Sequence, residues 1–494
     1  MRGNNIYKNI IKKLITVKFL CLIPISIMFF ACSEPEEHIH SYKTSWEFDN
    51  ESHWHPSACG HTGFIDKKES HSFESLGVTT PLSGYTDGEI TYICHTCGMT
   101  KTTLIHRYDS AWESDDNYHW HKAFCKHKEE ISEKLLHNWE ITEIIEPVTL
   151  EQDGKIRIRC KDCDIEREEI ISKPKLYTNP IDSETKLNAT QNSKLILFGV
   201  FPQSILPKDT DIRVYEQIPI EIGPFTYYPA SDGEFYEKFK ICSYPSAIMY
   251  FSDGTEIKPK EERFFKLEPI KWRVLTNNYE SNGLKYSLLF SENLITMSGG
   301  LVSMSGGLFS HGSVTFYENN YKYSGIRSYL NGKFEPDDMY EDEYKDIIKN
   351  KGFLQKAFTP SAIDMIQNTI VNNSIESAYN IMMMGGVLPP DEFICPDTTD
   401  KIFLLSVSEA AAYLDYDFPL KIPLKNSTDY AWANSGDVYL AGNAAGKIFS
   451  LRSPVKVRDD DHTNRIAVVG DYYGDADYRS SYGIAPALCL DLSD

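Results

Sequence analysis

Positive charge is scarce in this sequence. Lys and Arg number 50 against 71 Asp and Glu, which gives a formal net charge of -21 over 494 residues. Nucleic acids and anionic lipid surfaces bind to basic faces, so this balance argues against both as partners. We therefore predict no nucleic-acid binding.

Histidine is nearly absent outside one region. Twelve of the 14 histidines lie between His38 and His137, and only His311 and His462 lie elsewhere. Of the nine cysteines after Cys32, six lie between residues 59 and 163. A local enrichment of this kind is typical of metal binding.

The N-terminus has no apolar run of the length that spans a bilayer. Residues 19–30 are mostly apolar, which is shorter than the roughly 20 residues of a membrane helix. Lysines precede this run and Ala31-Cys32 follows it, the order of an export signal. The junction resembles a bacterial lipobox, which implies that Cys32 becomes the diacylated first residue. We predict a lipoprotein signal peptide over 1–31, a polar tether over 32–37 and a lipid anchor in the membrane, at the outer surface of the bacterial cell envelope. An ordinary secretory signal and an uncleaved anchor are the alternatives.

The next segment of the chain is written twice. An offset of 66 residues maps His53-Trp54-His55 onto His119-Trp120-His121, and the pair Cys94 and Cys97 onto Cys160 and Cys163. An internal repeat fixes domain boundaries directly. We predict two small, mostly β modules over 38–105 and 106–172.

The cysteine count of each module points to a metal site. Three cysteines per repeat cannot all be closed by disulfides within that repeat. A Cys-x-His pair followed about 35 residues later by Cys-x-x-Cys offers a set of ligands suited to structural zinc. The predicted ligands are Cys59, His61, Cys94 and Cys97 in the first repeat and Cys125, His127, Cys160 and Cys163 in the second. Disulfides between repeats are the alternative.

The His-Trp-His segments are candidates for a second metal set. In an extended strand His53 and His55 point to one face and Trp54 to the other, so the two imidazoles could share a site with His40 or His71. The candidate ligands of this second set are His53, His55, His71, His119, His121 and His137. In the alternative interpretation, Trp54 fills a small core that the two histidines cap.

A module of 66 residues buries too little apolar area to be comfortably stable, and metal often staples such domains. Asp87-Gly88 and Asp153-Gly154 predict turns that lead into the strands carrying Cys-x-x-Cys. Four protein ligands leave no position open for a water nucleophile, which disfavours hydrolytic catalysis there. The whole pattern resembles tandem zinc-ribbon-like repeats of bacterial surface proteins, and the resemblance implies display on a cell surface without implying a reaction.

Residues 173–193 are polar and turn-rich and are predicted to be a linker. Beyond them, apolar runs at 195–203, 264–275 and 286–290 predict buried strands. Thr359-Pro360 predicts the start of a helix carrying Ile363, Ile366 and Ile370, and Ser406 with Glu409 predicts a capping box. We predict an α+β domain over 194–494 with short strands and long loops, and neither a doubly wound sheet nor a barrel.

Several motifs of this region stand in the order found in a domain of unknown function of bacterial lipoproteins. They are Leu197-Phe198-Gly199, the segments at 270–275 and 326–332, Leu451-Arg452-Ser453-Pro454 and the segment at 483–488. That domain looks like a distant relative of the formylglycine-generating-enzyme branch of the C-type lectin fold. The resemblance implies a lectin-like fold and assigns no chemistry.

No catalytic motif accompanies these segments. Cys395 and Cys489 lie 94 residues apart, unlike the close cysteine pair of the related oxidases, and the acidic run at 459–461 is typical of a solvated loop. Arg327 and Arg452 could bind an anion or pair with a structural carboxylate. We predict a surface-anchored, non-catalytic binding or adhesion protein whose partner is a glycan or a protein. An oxidase or hydrolase in the C-terminal domain and extracellular zinc capture by the repeats are the alternatives.

Overall fold

The computed structural model describes residues 38–61, 63–183, 194–242, 244–245, 248–297, 321–333, 352–377, 395–414, 425–435, 437–438, 449–455, 465–469, 474–477 and 483–492. These residues are mostly β-structure arranged in many small sheets. The predicted signal peptide, tether and lipid-accepting Cys32, and the acidic run at 459–461, lie outside the described residues. In the described part of the chain no helix is both long and apolar enough to cross a membrane.

The chain divides into two compact units, Met1–Leu136 and His137–Asp494. The boundary between them falls inside the second predicted repeat, so the first unit contains one repeat and the first half of the next. The second unit begins with the remaining half of that repeat.

Nine strands make up the described part of the first unit. They are β1 (Glu47–Phe48), β2 (Ser52–Pro56), β3 (Ile65–Ser70), β4 (Phe73–Thr80), β5 (Gly88–Cys94), β6 (Thr100–Ile105), β7 (Tyr108–Ser114), β8 (Tyr118–Ala123) and β9 (Leu135–Leu136). They pair consecutively into three antiparallel three-stranded sheets, β1-β2-β3, β4-β5-β6 and β7-β8-β9.

A turn closed by an aspartate side chain connects the first two strands of each repeat. The Asp49 carboxylate accepts the backbone N–H groups of Glu51 and Ser52 at 2.8 and 2.7 Å. Its counterpart Asp115 accepts those of Asn117 and Tyr118 at 3.0 and 2.8 Å. An aspartate that bonds to the backbone two and three residues ahead closes a tight turn, and here it starts the β1-β2 and β7-β8 hairpins.

The first unit has almost no apolar core. Among its described residues, the buried apolar side chains are Cys94, Ala123 and Cys125. Large apolar side chains that would fill a core are exposed instead, with Leu76 54% and Val78 58% accessible. Hydrophobic burial therefore supplies little of the free energy that holds these three sheets together.

The second unit contains 21 described strands. They are β10 (Trp139–Glu146), β11 (Gly154–Cys160), β12 (Glu166–Ile171), β13 (Ile181–Asp182), β14 (Leu195–Ile205), β15 (Ile220–Ile222), β16 (Phe225–Pro229), β17 (Phe235–Lys240), β18 (Tyr244–Pro245), β19 (Glu262–Ser281), β20 (Leu284–Ser291), β21 (Thr296–Met297), β22 (Thr369–Val371), β23 (Thr398–Asp400), β24 (Ile402–Phe403), β25 (Asp437–Val438), β26 (Phe449–Val455), β27 (Arg465–Val469), β28 (Gly474–Asp477), β29 (Gly483–Ile484) and β30 (Ala487–Leu490). Its described helices are α1 (Gly325–Asn331), α2 (Phe353–Ala357), α3 (Pro360–Met365), α4 (Val407–Tyr413) and α5 (Asp429–Ala433), with a 3-10 turn at Tyr321–Tyr323.

A nine-stranded sheet forms the centre of this unit. Its order is β15-β16-β17-β19-β20-β30-β24, with β14 paired to β19 and β13 to β14. Strand β19 is 20 residues long, in contrast to the short strands predicted from the sequence. Its pairing passes from one partner to the next along this length, with β17 along 262–266, β14 along 265–273 and β20 along 272–281.

The main hydrophobic core lies against this sheet. Trp272 is fully buried, and its Nε1–H donates to the Phe198 carbonyl oxygen at 2.8 Å. Gly199 has φ +71°, and a Cβ there would lie 2.5 Å from the Phe358 ring. Glycine is needed at this position both for the left-handed backbone and for the close approach of that ring.

The second half of the second repeat packs against the C-terminal part of its unit. Ile156 and Ile158 on β11 are buried with Tyr215 and Ile218 in one apolar cluster. Their counterpart strand in the first repeat, β5, has only half-buried side chains between its ends. The predicted linker also differs from expectation: within 173–183, Leu176 packs on a second apolar cluster and β13 pairs with β14.

Two predicted helix starts are confirmed. Thr359 caps α3 by accepting the Ala362 N–H, and Ser406 and Glu409 form both bonds of a capping box on α4. Helix α3 nevertheless ends at Met365, and Ile370 lies in β22, paired with β23. Strand pairing there overrides the helical spacing of the isoleucines.

Candidate metal centre

Each Cys-x-x-Cys segment lies on a tight turn at the end of a strand. In the first repeat, the Gly98 N–H donates to the Cys94 carbonyl oxygen at 2.7 Å and the Cys94 N–H to that of Met99 at 2.8 Å. The second repeat has the same two bonds: the Asp164 N–H donates to the Cys160 carbonyl oxygen, and the Cys160 N–H donates to the carbonyl oxygen of Ile165. Gly98 and Asp164 both have positive φ, a conformation that glycine and aspartate tolerate. The turn brings both thiols of the pair to one side.

Two histidines complete the cluster of the first repeat. His53, His71, Cys94 and Cys97 offer ligand atoms that all lie within 4.8 Å of one another. The separations are 3.4 Å between the two Nδ1 atoms, 3.4 Å from Cys97 Sγ to His71 Nδ1 and 3.9 Å from Cys94 Sγ to His53 Nδ1. A tetrahedral ion with bonds of roughly 2.0 to 2.3 Å separates its ligands by about 3.3 to 3.8 Å. The cluster could therefore hold a metal ion with little movement.

A hydrogen bond behind the cluster orients the ring of His71. Its Nε2–H donates to the Asp49 carbonyl oxygen at 2.8 Å, which turns Nδ1 toward the thiols, where it can hydrogen-bond to a thiolate or, once deprotonated, bind a metal ion. Metal-binding histidines are usually oriented in this way by a bond from the other ring nitrogen. The turn at Asp49 thus also positions a metal ligand.

The two thiols of this pair differ in acidity. Burial opposes ionisation of Cys94, but hydrogen bonds from His71 and from backbone N–H groups lower its pKa to about 6. Burial raises the pKa of Cys97, and the neighbouring Cys94 raises it further. A cation between the sulfur atoms would favour the thiolate at both.

The second repeat places corresponding ligands together. His137, Cys160 and Cys163 lie in one cluster, and the Cys163 Sγ is 3.4 Å from the His137 Nδ1. The sequence offset maps His53 onto His119, whose buried ring lies edge-on to Trp112 with the centroids 4.4 Å apart. The ring of His53 contacts Trp46 in the same way, at 4.6 Å.

A separate cluster surrounds the first cysteine of the first repeat. It consists of His38, His40, Cys59 and His61, and it is more exposed than the Cys-x-x-Cys clusters. Cys59 Sγ lies 3.2 Å from His40 Nδ1 and 3.5 Å from His61 Nδ1. Hydrogen bonds from His38, Ser57 and His40 lower the pKa of Cys59 to about 4.

The corresponding cluster of the second repeat contains a carboxylate. Asp87, His106, Cys125 and His127 lie together. The Asp87 Oδ1 is 3.0 Å from His106 Nδ1, and its Oδ2 is 2.7 Å from His127 Nδ1. Cys125 Sγ lies 3.6 Å from His106 Nδ1. Hydrogen bonds from Cys125 and the two histidines outweigh the effect of burial and lower the pKa of Asp87 to about 2.

The structure divides each ligand set predicted from the sequence between two clusters. Cys59 and His61 do not join Cys94 and Cys97, and Cys125 and His127 do not join Cys160 and Cys163. Backbone pairing explains the division, because the Ala58 N–H donates to the Ser41 carbonyl oxygen at 2.7 Å. This bond ties the first cysteine to the N-terminal segment of its repeat, beside His40.

The His-Trp-His segments are divided in a similar way. His53 and His71 join a cluster, whereas His55 stacks on Trp46 at 3.8 Å and donates from Nδ1 to the Ser45 carbonyl oxygen at 3.2 Å. His121 has equivalent contacts with Trp112 and Ala111. His55 and His121 therefore support the tryptophan beside the cluster and are not ligands in the described geometry.

The two candidate anion-binding arginines of the C-terminal domain form ion pairs with carboxylates of the same domain. Arg327 Nε donates to both carboxylate oxygens of buried Asp400, at 2.9 and 3.0 Å. Arg452 pairs with Glu409, the glutamate of the capping box on α4. Burial raises the pKa values of Cys395 and, to about 12, of Cys489, so neither is an activated thiol.

A polar cavity of about 320 Å³ opens beside β14 and α5. Its two carboxylates are also engaged: Glu268 accepts from the Ser204 N–H and hydroxyl, and Asp429 accepts from Ile205 and Ser252. Ser204 and Ser252 each donate a hydroxyl to one of these carboxylates, and no histidine lies among the residues that line this cavity.

Comparison with known proteins reaches only part of the chain. Residues 288–492 match the model of a family described as a domain of unknown function (DUF6273). No curated protein and no solved structure matches the chain. The matched segment lies within the predicted C-terminal domain and assigns no activity to it.

Sequence reasoning missed three cluster members, His38, His106 and Asp87, and considered His40 only as a partner of His53 and His55. A signal for His106 was present, because the offset that aligns the cysteines also maps His40 onto His106. Asp87 carried no comparable signal. Its Asp-Gly dipeptide is fully explained by the turn before β5, and only the fold brings its carboxylate to the next repeat.

Proposed function

We propose that the repeats are zinc-ribbon-like modules stapled by structural zinc, and that they present the C-terminal domain at the bacterial surface. The observation that carries this proposal is the near absence of a core in the first unit. Three sheets with three buried apolar side chains among the described residues cannot be held by hydrophobic burial alone. The cluster of the first Cys-x-x-Cys contains two buried members, His53 and Cys94.

Zinc is the metal that suits these donors. Two thiolates and imidazoles at tetrahedral spacing favour zinc over magnesium or calcium, which prefer oxygen ligands. Four protein ligands fill the coordination sphere and leave no place for a substrate or a reactive water. The Cys-x-x-Cys clusters are therefore proposed to be structural and not catalytic.

The proposed role of the whole protein is binding without catalysis. A lipid anchor at Cys32 would tether the chain to the envelope, and the C-terminal domain, proposed to have a C-type-lectin-like fold, would contact a glycan or a protein. Binding of residues 33–494 to glycan arrays and host matrix proteins tests this part. Uniformly negative binding would remove the adhesion proposal and leave the zinc proposal standing.

Metal analysis of purified residues 33–494 tests the zinc proposal. This form keeps every described residue, and the decisive variant is Cys94→Ser with Cys97→Ser. His95→Ala is a matched control, because His95 lies between the two cysteines, is 64% exposed and pairs with Glu74. We expect the double variant to retain one zinc fewer than the wild type and the control to retain all of it. Absence of zinc from the wild type, or a disulfide at Cys94, would refute the proposal.

A second candidate function is zinc capture by the exposed cluster of His38, His40, Cys59 and His61. Its three imidazoles and accessible position favour reversible binding over a structural role. Stepwise addition of a chelator, with alkylation of the released thiols and mass spectrometry, tests this candidate. Capture predicts that Cys59 becomes reactive while Cys94 stays protected. Simultaneous release at both positions would exclude it.

A further inference from the structure

The clusters around the first cysteine of each repeat differ in one ligand. The offset of 66 residues relates His40, Cys59 and His61 to His106, Cys125 and His127. The fourth member of the first cluster is His38, whose counterpart in the second repeat is Leu104. Leucine cannot bind a metal, and Asp87 takes the vacant place.

Asp87 belongs to the repeat before the one it serves. It lies in the turn that begins β5, in the middle of the first repeat, whereas the other three residues of its cluster belong to the second. Its carboxylate is only 4% exposed, and its two oxygens contact two different histidines of the second repeat. The cluster therefore exists only when both repeats are in place.

The counterpart of Asp87 supports this interpretation. Asp153 occupies the same position in the second repeat, and its Oδ1 accepts the backbone N–H of Lys173 at 2.9 Å. Lys173 is the first residue after that repeat. In both copies, this aspartate reaches the chain that follows its own repeat, but only Asp87 finds imidazole and thiol groups there.

An ion pair between Asp87 and protonated histidines would account for two of the contacts but not for the thiol. Cys125 is buried, with 3% of its surface exposed, and its sulfur lies 3.6 Å from His106 Nδ1. One carboxylate oxygen, two imidazole nitrogens and one sulfur, all within 4.8 Å of one another, form a donor set that suits tetrahedral zinc. The same donors are poorly suited to magnesium or calcium.

We propose that a divalent metal ion of the zinc type, bound by Asp87, His106, Cys125 and His127, clasps the first repeat to the second. In the first repeat, His38 takes the place that Asp87 has in the second. The clasp shares no ligand with the Cys-x-x-Cys clusters, so it can hold metal whether or not they do. Metal loading at this site would fix the segment between β6 and β7.

The test uses Asp87→Ala in residues 33–494, with Asp153→Ala as the matched control. Each substitution removes a carboxylate from an Asp-Gly turn, but only the first removes a ligand. We expect Asp87→Ala to retain one zinc fewer than the wild type and Asp153→Ala to retain the same amount. Equal zinc in the wild type and Asp87→Ala would overturn the proposal.

Hydrogen exchange over residues 100–114 tests the clasp itself. We expect faster exchange there in Asp87→Ala and in His127→Ala, whose side chain is 40% exposed in the native protein, but not in Asp153→Ala. In the double variant of Asp87 and His127 no further zinc should be lost. Loss of metal with unchanged exchange would show an ordinary binding site and refute the clasp.

The Cys94→Ser, Cys97→Ser variant separates this outcome from that of the structural zinc sites. If the clasp alone is wrong, the Asp87 variant keeps all its zinc while the cysteine variant loses one. If the structural sites alone are wrong, the reverse pattern appears.

Discussion

The Nε2–H of His71 donates to the backbone carbonyl oxygen of Asp49 across 2.8 Å. The carboxylate of the same aspartate closes the turn that starts β2. One residue thus forms the first hairpin of the repeat and orients a ligand for the thiols of Cys94 and Cys97. Local folding and ligand geometry are coupled in this module.

This coupling predicts that His71 and His55 differ sharply in importance. We expect His71→Ala to weaken zinc binding at its cluster by more than about 100-fold, since loss of a ligand exceeds the roughly 10- to 100-fold cost of outer-shell changes. His55→Ala should stay within about 10-fold, because His55 only stacks on Trp46. Competition with a chelator of known affinity measures both. Equal weakening in the two variants would contradict the assigned roles.

The buried pair of Glu409 and Arg452 predicts a pH-dependent stability of the C-terminal domain. Burial opposes ionisation of Glu409, but Arg452 outweighs it and holds the pKa below its ordinary value. A lowered folded-state pKa stabilises the fold above the unfolded pKa of roughly 4.3, and this stabilisation is lost as the pH falls through the folded pKa. The free energy of unfolding should therefore fall steeply below about pH 4.5.

Glu409→Gln tests this dependence. We expect the free energy of unfolding to fall by about 3 kcal/mol at neutral pH, because Arg452 is left buried without a charged partner. The acid-dependent part should become shallower. Glu280→Gln is the control: this glutamate is 73% exposed and lies 3.9 Å from Lys285, so its loss should cost less than about 0.5 kcal/mol. Urea titrations from pH 3 to 7 measure these values, and an unchanged acid slope in Glu409→Gln would count against the pair.

Replacement of Gly199 by alanine is predicted to lower the free energy of unfolding by more than backbone strain alone would. Gly199 and Gly233 both have positive φ, +71° and +78°, but a Cβ at Gly233 meets nothing within 4 Å. Gly233→Ala should therefore cost about 1 kcal/mol, and Gly199→Ala about 2 to 4 kcal/mol because it also displaces Phe358. Urea unfolding of each variant, monitored by circular dichroism, compares them. Equal costs would show that the ring moves freely.

The sequence predicted the parts of the fold that depend on neighbouring residues. The Asp-Gly turn before β5, the Cys-x-x-Cys strand end and the capping box at Ser406 all follow from contacts within a few positions. The predicted helix α3 extended beyond its observed end, because β22 takes up the residues that follow it. The pairing of β22 with β23 involves residues far apart in the chain. Local signals do not report such competition.

The ligand sets show the same limit. The Cys-x-His pair and the Cys-x-x-Cys pair of each predicted set both consist of residues that bind metals. Which histidine accompanies which cysteine, however, depends on backbone pairing between Ser41 and Ala58 and on the turn at Asp49. Asp87 depends on the contact between two repeats. None of these can be read from spacing alone.

Removal of metal from residues 33–494, followed by hydrogen exchange, tests the central proposal most directly. We predict that a chelator abolishes protection over residues 38–136, which have almost no apolar core, while β14 and β19 in the main core keep theirs. Strand β11 should stay protected through Ile156 and Ile158. If protection over 38–136 is unchanged once metal analysis proves the protein metal-free, metal does not hold the repeats together.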